Sequence, residues 1–240
     1  MGNQRVAAGP AVALTGVFVL VLAFGHSLQA QTSGQQAQTP PVQKLGDNLY
    51  RIGMLRVDTA KREVSAPATV NDVMTLEFAA NTRGGLKAYE SAITVQSDAI
   101  TFNAALLLIG LDPSRGRPSK FQFDPGTPEG DPVSVELVFG NRRVPIEDLL
   151  LDQRTGETLR SGPWVYTGST FFDNGQGQGK VFLAEVDGVL IGMMHGPAAL
   201  IENPRNDAVK GYGSFVINPK LGLAPGSVVT LVVTALKKSP

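Results

Sequence analysis

Three kinds of apolar pattern follow one another along the chain: one unbroken run, one run with helical spacing, and many short runs of strand length. The unbroken run is Ala11 to Gly25 (AVALTGVFVLVLAFG), with Arg5 the sole charge before Lys44 and a small residue, Ala30, closing the polar stretch behind it. Basic end, apolar centre and small residue at the cut are the order of a secretory signal, and the run is shorter than the roughly 20 residues that span a bilayer. Residues 1–30 are therefore expected to be a signal peptide. The next stretch, QTSGQQAQTPPVQK, has no apolar period and too little apolar surface to order itself, so residues 31–44 are expected to be a flexible polar leader.

Helical spacing occurs at Ala99, Phe102, Leu106 and Ile109, which recur every three or four residues and place one apolar stripe on a helix from Asp98 to Ile109. Ser97 is positioned to cap it, Gly110 supplies a left-handed end, and Pro113 forbids continuation. Strand-length runs fill most of the remainder. Leu49 to Asp58 and Arg62 to Pro67 read as a hairpin about Thr59–Lys61. Val73 to Phe78 and Leu86 to Val95 read as the third and fourth strands. Val133 to Phe139 turns at Gly140-Asn141 into a short strand ending at Val144, and Pro145 to Leu151 fits a turn of helix. Trp164 to Gly168, Val181 to Val186, Val189 to Met194, Gly213 to Ile217 and Val228 to Leu236 complete the set. Asp187-Gly188 between two of them has the composition of a two-residue hairpin turn. Between helix and strands lies a Gly/Pro-rich stretch, Asp112 to Pro132, long enough to be a functional loop or a surface insertion, with Phe121 and Phe123 expected to pin it down. These elements predict one β-rich α+β domain over residues 45–240, a mostly antiparallel sheet or sandwich carrying one packed α-helix.

Composition narrows the chemistry. The chain has no cysteine, which excludes disulfides, thiol nucleophiles, iron–sulfur clusters, thiolate zinc sites and a lipid anchor on cysteine. Its 21 basic and 21 acidic residues balance, and losing Arg5 with the signal leaves a mature chain near −1. No basic run stands out beyond Lys237-Lys238, so a nucleic acid is not an expected partner, and a membrane is expected to be met only through the signal segment if it stays uncleaved. Of two histidines, His26 leaves with the signal and His195 remains; a zinc site built on several imidazoles is excluded within one chain.

Motifs that suggest a site fail or stay open. GQGQGK at 175–180 lacks the first glycine and the hydroxyl of a phosphate loop, and Asp173-Asn174-Gly175 reads first as a turn. Glu90 calls for a cation such as Lys87 or an arginine, or else is an exposed carboxylate or an acid/base group. Trp164 and Tyr166 fall on one face of a strand, either as core or as a stacking platform for sugar or peptide. His195 ends an apolar strand and would serve a hydrolase or metal enzyme only if Glu90 and Asp187 joined it. No catalytic, cofactor or metal residue is assigned from the sequence.

The order of several modest motifs carries a resemblance. Lys87-Ala88-Tyr89-Glu90-Ser91-Ala92, Leu106-Leu107-Leu108-Ile109-Gly110, Trp164-Val165-Tyr166-Thr167-Gly168-Ser169, Ala184-Glu185-Val186-Asp187-Gly188, Ala198-Ala199-Leu200-Ile201 and Leu223-Ala224-Pro225-Gly226-Ser227-Val228-Val229-Thr230 together resemble the YdjY-type domain over nearly the whole chain after the leader. The resemblance implies a bacterial, often exported domain without an assigned activity. The family commonly carries His where this chain has Tyr89, so a role needing an imidazole there does not transfer. The expected role is therefore a periplasmic or extracellular, non-catalytic module that binds a protein or polymer partner in the cell envelope. Its candidate surface includes Tyr89, Glu90, Ser91, Trp164, Tyr166 and His195. A carbohydrate or small-molecule binder using Trp164 and Tyr166, and an enzyme using Glu90, Asp187 and His195, are the alternatives.

Overall fold

The computed structural model describes residues 40–173, 175 and 179–237. The expected signal peptide, the leader up to residue 39 and most of the 174–178 turn lie outside the described residues. The first described strand lies earlier than the pattern suggested: β1 (Val42–Gly46) takes in the end of the expected leader and pairs with β2 (Leu49–Ile52). The predicted long strand from Leu49 is broken at Gly53-Met54, and β3 (Leu55–Asp58) returns against β2 before β4 (Glu63–Val70). Next come β5 (Phe78–Thr82), β6 (Ser91–Val95), α1 (Ala99–Leu108), β7 (Asp131–Phe139) and β8 (Arg142–Pro145). A small sheet is made by β9 (Leu150–Asp152) and β10 (Glu157–Thr158); β11 (Trp164–Tyr166) follows, then the hairpin of β12 (Phe171–Asp173) and β13 (Lys180–Phe182). The chain ends through α2 (Leu183–Asp187), β14 (Val189–Gly192), β15 (Ile201–Glu202), α3 (Asp207–Lys210), β16 (Phe215–Ile217), which joins β9, and β17 (Val228–Ala235).

The expected β-rich α+β domain is present, and its pairing is mostly antiparallel, with β5–β6 and β14–β15 parallel. It is a barrel, more specific than a sheet or sandwich. Strand order runs β4-β17-β7-β11-β15-β14-β5-β6, and β6 returns to β4, closing a ring of eight strands. β1, β2 and β3 form a flap outside the ring, and β8 pairs antiparallel with the end of β7. The alternating burial of β4 and β7 is what a barrel wall demands, one side chain inward and the next out, whereas every residue of β5 and β14 is buried.

β4 holds the fork of this arrangement. β17 pairs with it along its length, while its other edge pairs first with β3 (Glu63 to Ser65) and then with β6 (Ala68 to Val70). Pro67 sits between the two. Its carbonyl accepts from Gln96 N at 2.9 Å on the forked edge, and the same edge is where its missing N–H would point, so no ladder bond to β17 is lost.

α1 has the predicted extent within a residue at each end, and Phe102, Ala105 and Leu106 are fully buried. Its cap is Asp98, not Ser97: one carboxylate oxygen accepts from Thr101 N at 2.6 Å and the other from Thr101 Oγ1 at 2.8 Å, leaving Ser97 Oγ on the Asp98 carbonyl. The single expected helix has two short companions, α2 and α3. Three further expectations change. The third strand starts at Phe78 rather than ending there. Of Leu86 to Val95 only Ser91–Val95 is strand, because Ala88–Glu90 makes a 3-10 turn. Asp187-Gly188 ends a helix instead of joining a hairpin: Gly188 has φ +75°, its N–H returns to Ala184 O at 2.9 Å, and a Cβ there would lie 2.4 Å from the Cα of Gly85.

Candidate functional site

The 112–132 loop is stitched down rather than draped. Arg117 and Glu129 exchange backbone hydrogen bonds of 2.8 and 3.1 Å, and Ser119 donates through N and Oγ to the buried Glu202 of β15 at 3.0 and 2.5 Å. Phe123 packs against the core as expected, but Phe121 is exposed. The Asp124 carboxylate accepts from the backbone of Lys120 and Gly126, both at 2.8 Å, which holds it below the usual carboxylate range and fixes the turn. That turn presents the Asp124 carbonyl to His195 Nδ1 at 2.7 Å, while Phe123 N donates to His195 O at 2.9 Å.

A carbonyl only accepts, so Nδ1 carries a proton, and in the neutral ring Nε2 is left as a lone-pair acceptor. His195 is 1% exposed and its Nε2 has no hydrogen-bond partner among the described residues. The residue lines a cavity of about 220 Å³. Glu77, Lys87, Gln122 and Asp187 make the polar side with it, and Phe78, Val189, Met194, Pro197 and Ala198 the apolar side. Backbone bonds from Glu77 N to Glu90 O (2.9 Å), from Met194 N to Glu77 O (3.0 Å) and from Thr82 N to Gly188 O (2.7 Å) hold the contributing segments together.

The charges in this cavity are unequal in their partners. Lys87 Nζ lies 2.8 Å from Glu90 Oε1, a close ion-pair contact without hydrogen-bond alignment, and 3.4 Å from the Tyr89 hydroxyl. The Glu90 contact is the main reason its amine is held well above the ordinary lysine value, firmly cationic. Ser91 is buried and its hydroxyl donates to Lys87 O at 2.7 Å, fixing the turn that carries the amine. Glu77 accepts from Gln122 at 3.0 Å; burial raises its carboxyl, the Glu90 charge adds to this, and the Tyr212 hydroxyl and Lys87 oppose it. Asp187 has no hydrogen-bond partner among the described residues, and burial raises its carboxyl against the pull of Lys87.

Each residue singled out from the sequence now has a place. Glu90 has the cation it required, and that cation is Lys87. Tyr89 is 66% exposed beside Lys87, and Asp187 and His195 share the cavity that Glu90 reaches through the lysine. Trp164 and Tyr166 are fully buried, so neither offers a ring for stacking: Tyr166 donates to Asn103 Oδ1 at 2.6 Å, and Trp164 lies under the Arg205 guanidinium. Glu77 and Gln122 carried no signal in the sequence, since one lay inside a mispredicted strand and the other sat in an unassigned loop. A larger, more open depression of about 470 Å³ near Asp152, Arg154 and Lys210 is different in kind. There the groups satisfy each other, with Arg154 on both Asp152 oxygens at 2.8 and 3.2 Å and on Lys210 O at 2.9 Å. No group of three or more His, Asp or Glu among the described residues is arranged to hold a metal ion.

The family model of the YdjY domain matches residues 55–234, from the first residue of β3 to the penultimate residue of β17. The chain belongs to the YdjY domain family. No curated protein and no solved structure matches it. The match contains seven strands of the ring entire, β17 but for its last residue, and every polar residue of the His195 cavity, and leaves β1 and β2 outside.

Proposed function

We propose that this YdjY-domain protein is exported by its amino-terminal signal and works in the periplasm or outside the cell as a non-catalytic binding module. Its His195 cavity holds a group presented by a protein or polymer of the cell envelope. One observation carries the reading: His195, whose buried Nε2 has no hydrogen-bond partner among the described residues, lines a cavity together with the half-buried carboxylate of Asp187, which has none among them either. Buried polar atoms are nearly always paired, and one left open costs about 1–3 kcal/mol, so a ligand that completes His195 Nε2 is stabilising. The chemistry favours holding over bond-making. Lys87 is kept protonated by Glu90 and offers charge rather than a nucleophilic lone pair.

The test joins location to site. Cell fractionation with amino-terminal sequencing should find the chain outside the cytoplasm, beginning near Gln31. Affinity capture from envelope extract should retain a partner on the wild-type protein and lose it on a folded His195→Ala variant. An unprocessed chain in the cytosol defeats the export half, and equal capture by both proteins defeats the site.

A further inference from the structure

The cavity also specifies what kind of group fits it. Its open valences are of two opposite kinds. His195 Nε2, in the neutral ring, is a buried acceptor with no donor among the described residues, and the half-buried carboxylate of Asp187 accepts no hydrogen bond from them either. Lys87 is a donor: its amine pairs with Glu90 at 2.8 Å, reaches the Tyr89 hydroxyl at 3.4 Å and lies 6.0 Å over the Phe78 ring, with no other hydrogen-bond acceptor among the described residues. A simple carboxylate would meet Lys87 but also face Asp187, and a simple amine would meet Asp187 but also face the Lys87 cation. A group carrying an ammonium and a carbonyl or carboxylate acceptor side by side satisfies all three.

The geometry points to an α-amino group bonded next to a carbonyl or carboxylate, as in a free amino acid or the amino-terminal residue of a peptide, with its ammonium against Asp187 and His195 and its carbonyl side toward Lys87. This rests on the reading of the cavity as the binding site. Size and lining agree. About 220 Å³ holds roughly seven waters at liquid density, the scale of one residue and not of a disaccharide or nucleotide. The wall of Phe78, Val189, Met194 and Pro197 suits an aliphatic side chain of that residue. Glu77 is already engaged by Gln122, which leaves Asp187 as the carboxylate open to the ammonium.

The deciding experiment is calorimetric titration of the purified protein with L-leucine, L-leucylglycine, N-acetyl-L-leucine, isopentylamine and 4-methylpentanoate. Histidine nitrogen shifts are followed in the same wild-type samples, so that no variant need fold for an answer. The expected result is saturable binding of leucine or leucylglycine that moves the His195 Nε2 resonance. The acetylated, amine-only and acid-only compounds should each bind at least about ten-fold more weakly, a difference of about 1.4 kcal/mol. Asp187→Asn, which keeps the shape, should weaken the preferred ligand by a similar factor. Tighter binding of leucylglycine assigns the pocket to peptide termini, and tighter binding of leucine assigns it to the free amino acid.

Equal affinity for the amine or the acid alone, with the His195 shift present, overturns the paired-charge ligand and leaves the cavity as a binding site. No saturation by leucine or leucylglycine at about 10 mM overturns the ligand class. If, in addition, envelope capture is unaffected by His195→Ala, the cavity reading falls as well.

Discussion

Replacing Phe102 with alanine tests how the barrel is completed. Its ring is fully buried on the face of α1 that packs against β3, β14 and α2. Truncation deletes the ring and leaves a cavity in rigid surroundings, because two of the three contact partners are strands held by ladders on both sides. Phe→Ala at such sites costs about 3–5 kcal/mol, a large share of the roughly 5–15 kcal/mol that holds a domain together. Leu107, on the opposite face, is 42% exposed, so Leu107→Ala removes less area from the interior and leaves no void; about 1 kcal/mol or less is expected. Urea titration measures both. The Phe102→Ala midpoint should fall far more than the Leu107→Ala midpoint at unchanged slope, with the melting temperature falling by roughly 6–20 °C. A Phe102→Ala loss below about 1 kcal/mol, or equal losses for the two variants, would refute the burial assigned to this helix face.

Three further outcomes follow from single residues. Asp98→Ala should cost about 1 kcal/mol in thermal unfolding and Ser97→Ala almost nothing, since the aspartate is the cap; the reverse order would restore the serine. Asp152 is held at about 2 by the Arg154 guanidinium, below its ordinary value. Its contribution is therefore present above the ordinary carboxylate range and lost as pH falls toward 2. With Arg154 half-exposed, Asp152→Asn should cost about 1–2 kcal/mol at pH 7 and nearly nothing near pH 2, and a constant difference across that interval would sink the account. Gly130→Ala would put a methyl 2.0 Å from Tyr166 O, where the loop crosses β11; chemical unfolding should show a loss of about 3 kcal/mol or more, and a neutral variant would mean the loop is not pressed against that strand.

The wall of the barrel was readable because its periods are local. β7 and β17 appear as runs of Val, Leu and Thr, and α1 as a stripe three and four residues apart. Closure was not readable, since it depends on β6 meeting β4 and on β14 meeting β15 in parallel, pairings that join segments without a turn between them. β5 and β14 are buried on both faces and lack the alternation that marks a strand. Asp187-Gly188 shows why a dipeptide misleads: one left-handed glycine serves a tight hairpin and a helix end equally, and only the approach of Gly85 selects between them. The site was half legible. Glu90 demanded a cation and Lys87 supplied it, and Asp187 and His195 stood out singly. Their meeting, and the entry of Glu77 and Gln122, required three stretches far apart in the chain, 77–87, 122 and 187–199, to converge.

The fork at Pro67 separates two kinds of attachment. Bonds from β4 to β17 and β6 belong to a closed circuit, in which breaking one contact leaves both strands tethered through the other side. Bonds from β4 to β3 belong to an open chain that ends at β1, whose residues are all exposed. The first three strands therefore hang from the cylinder by one ladder, and what keeps them seated is side-chain burial: Ile52, Leu55 and Val57 are fully buried in the core, and β3 packs against α1.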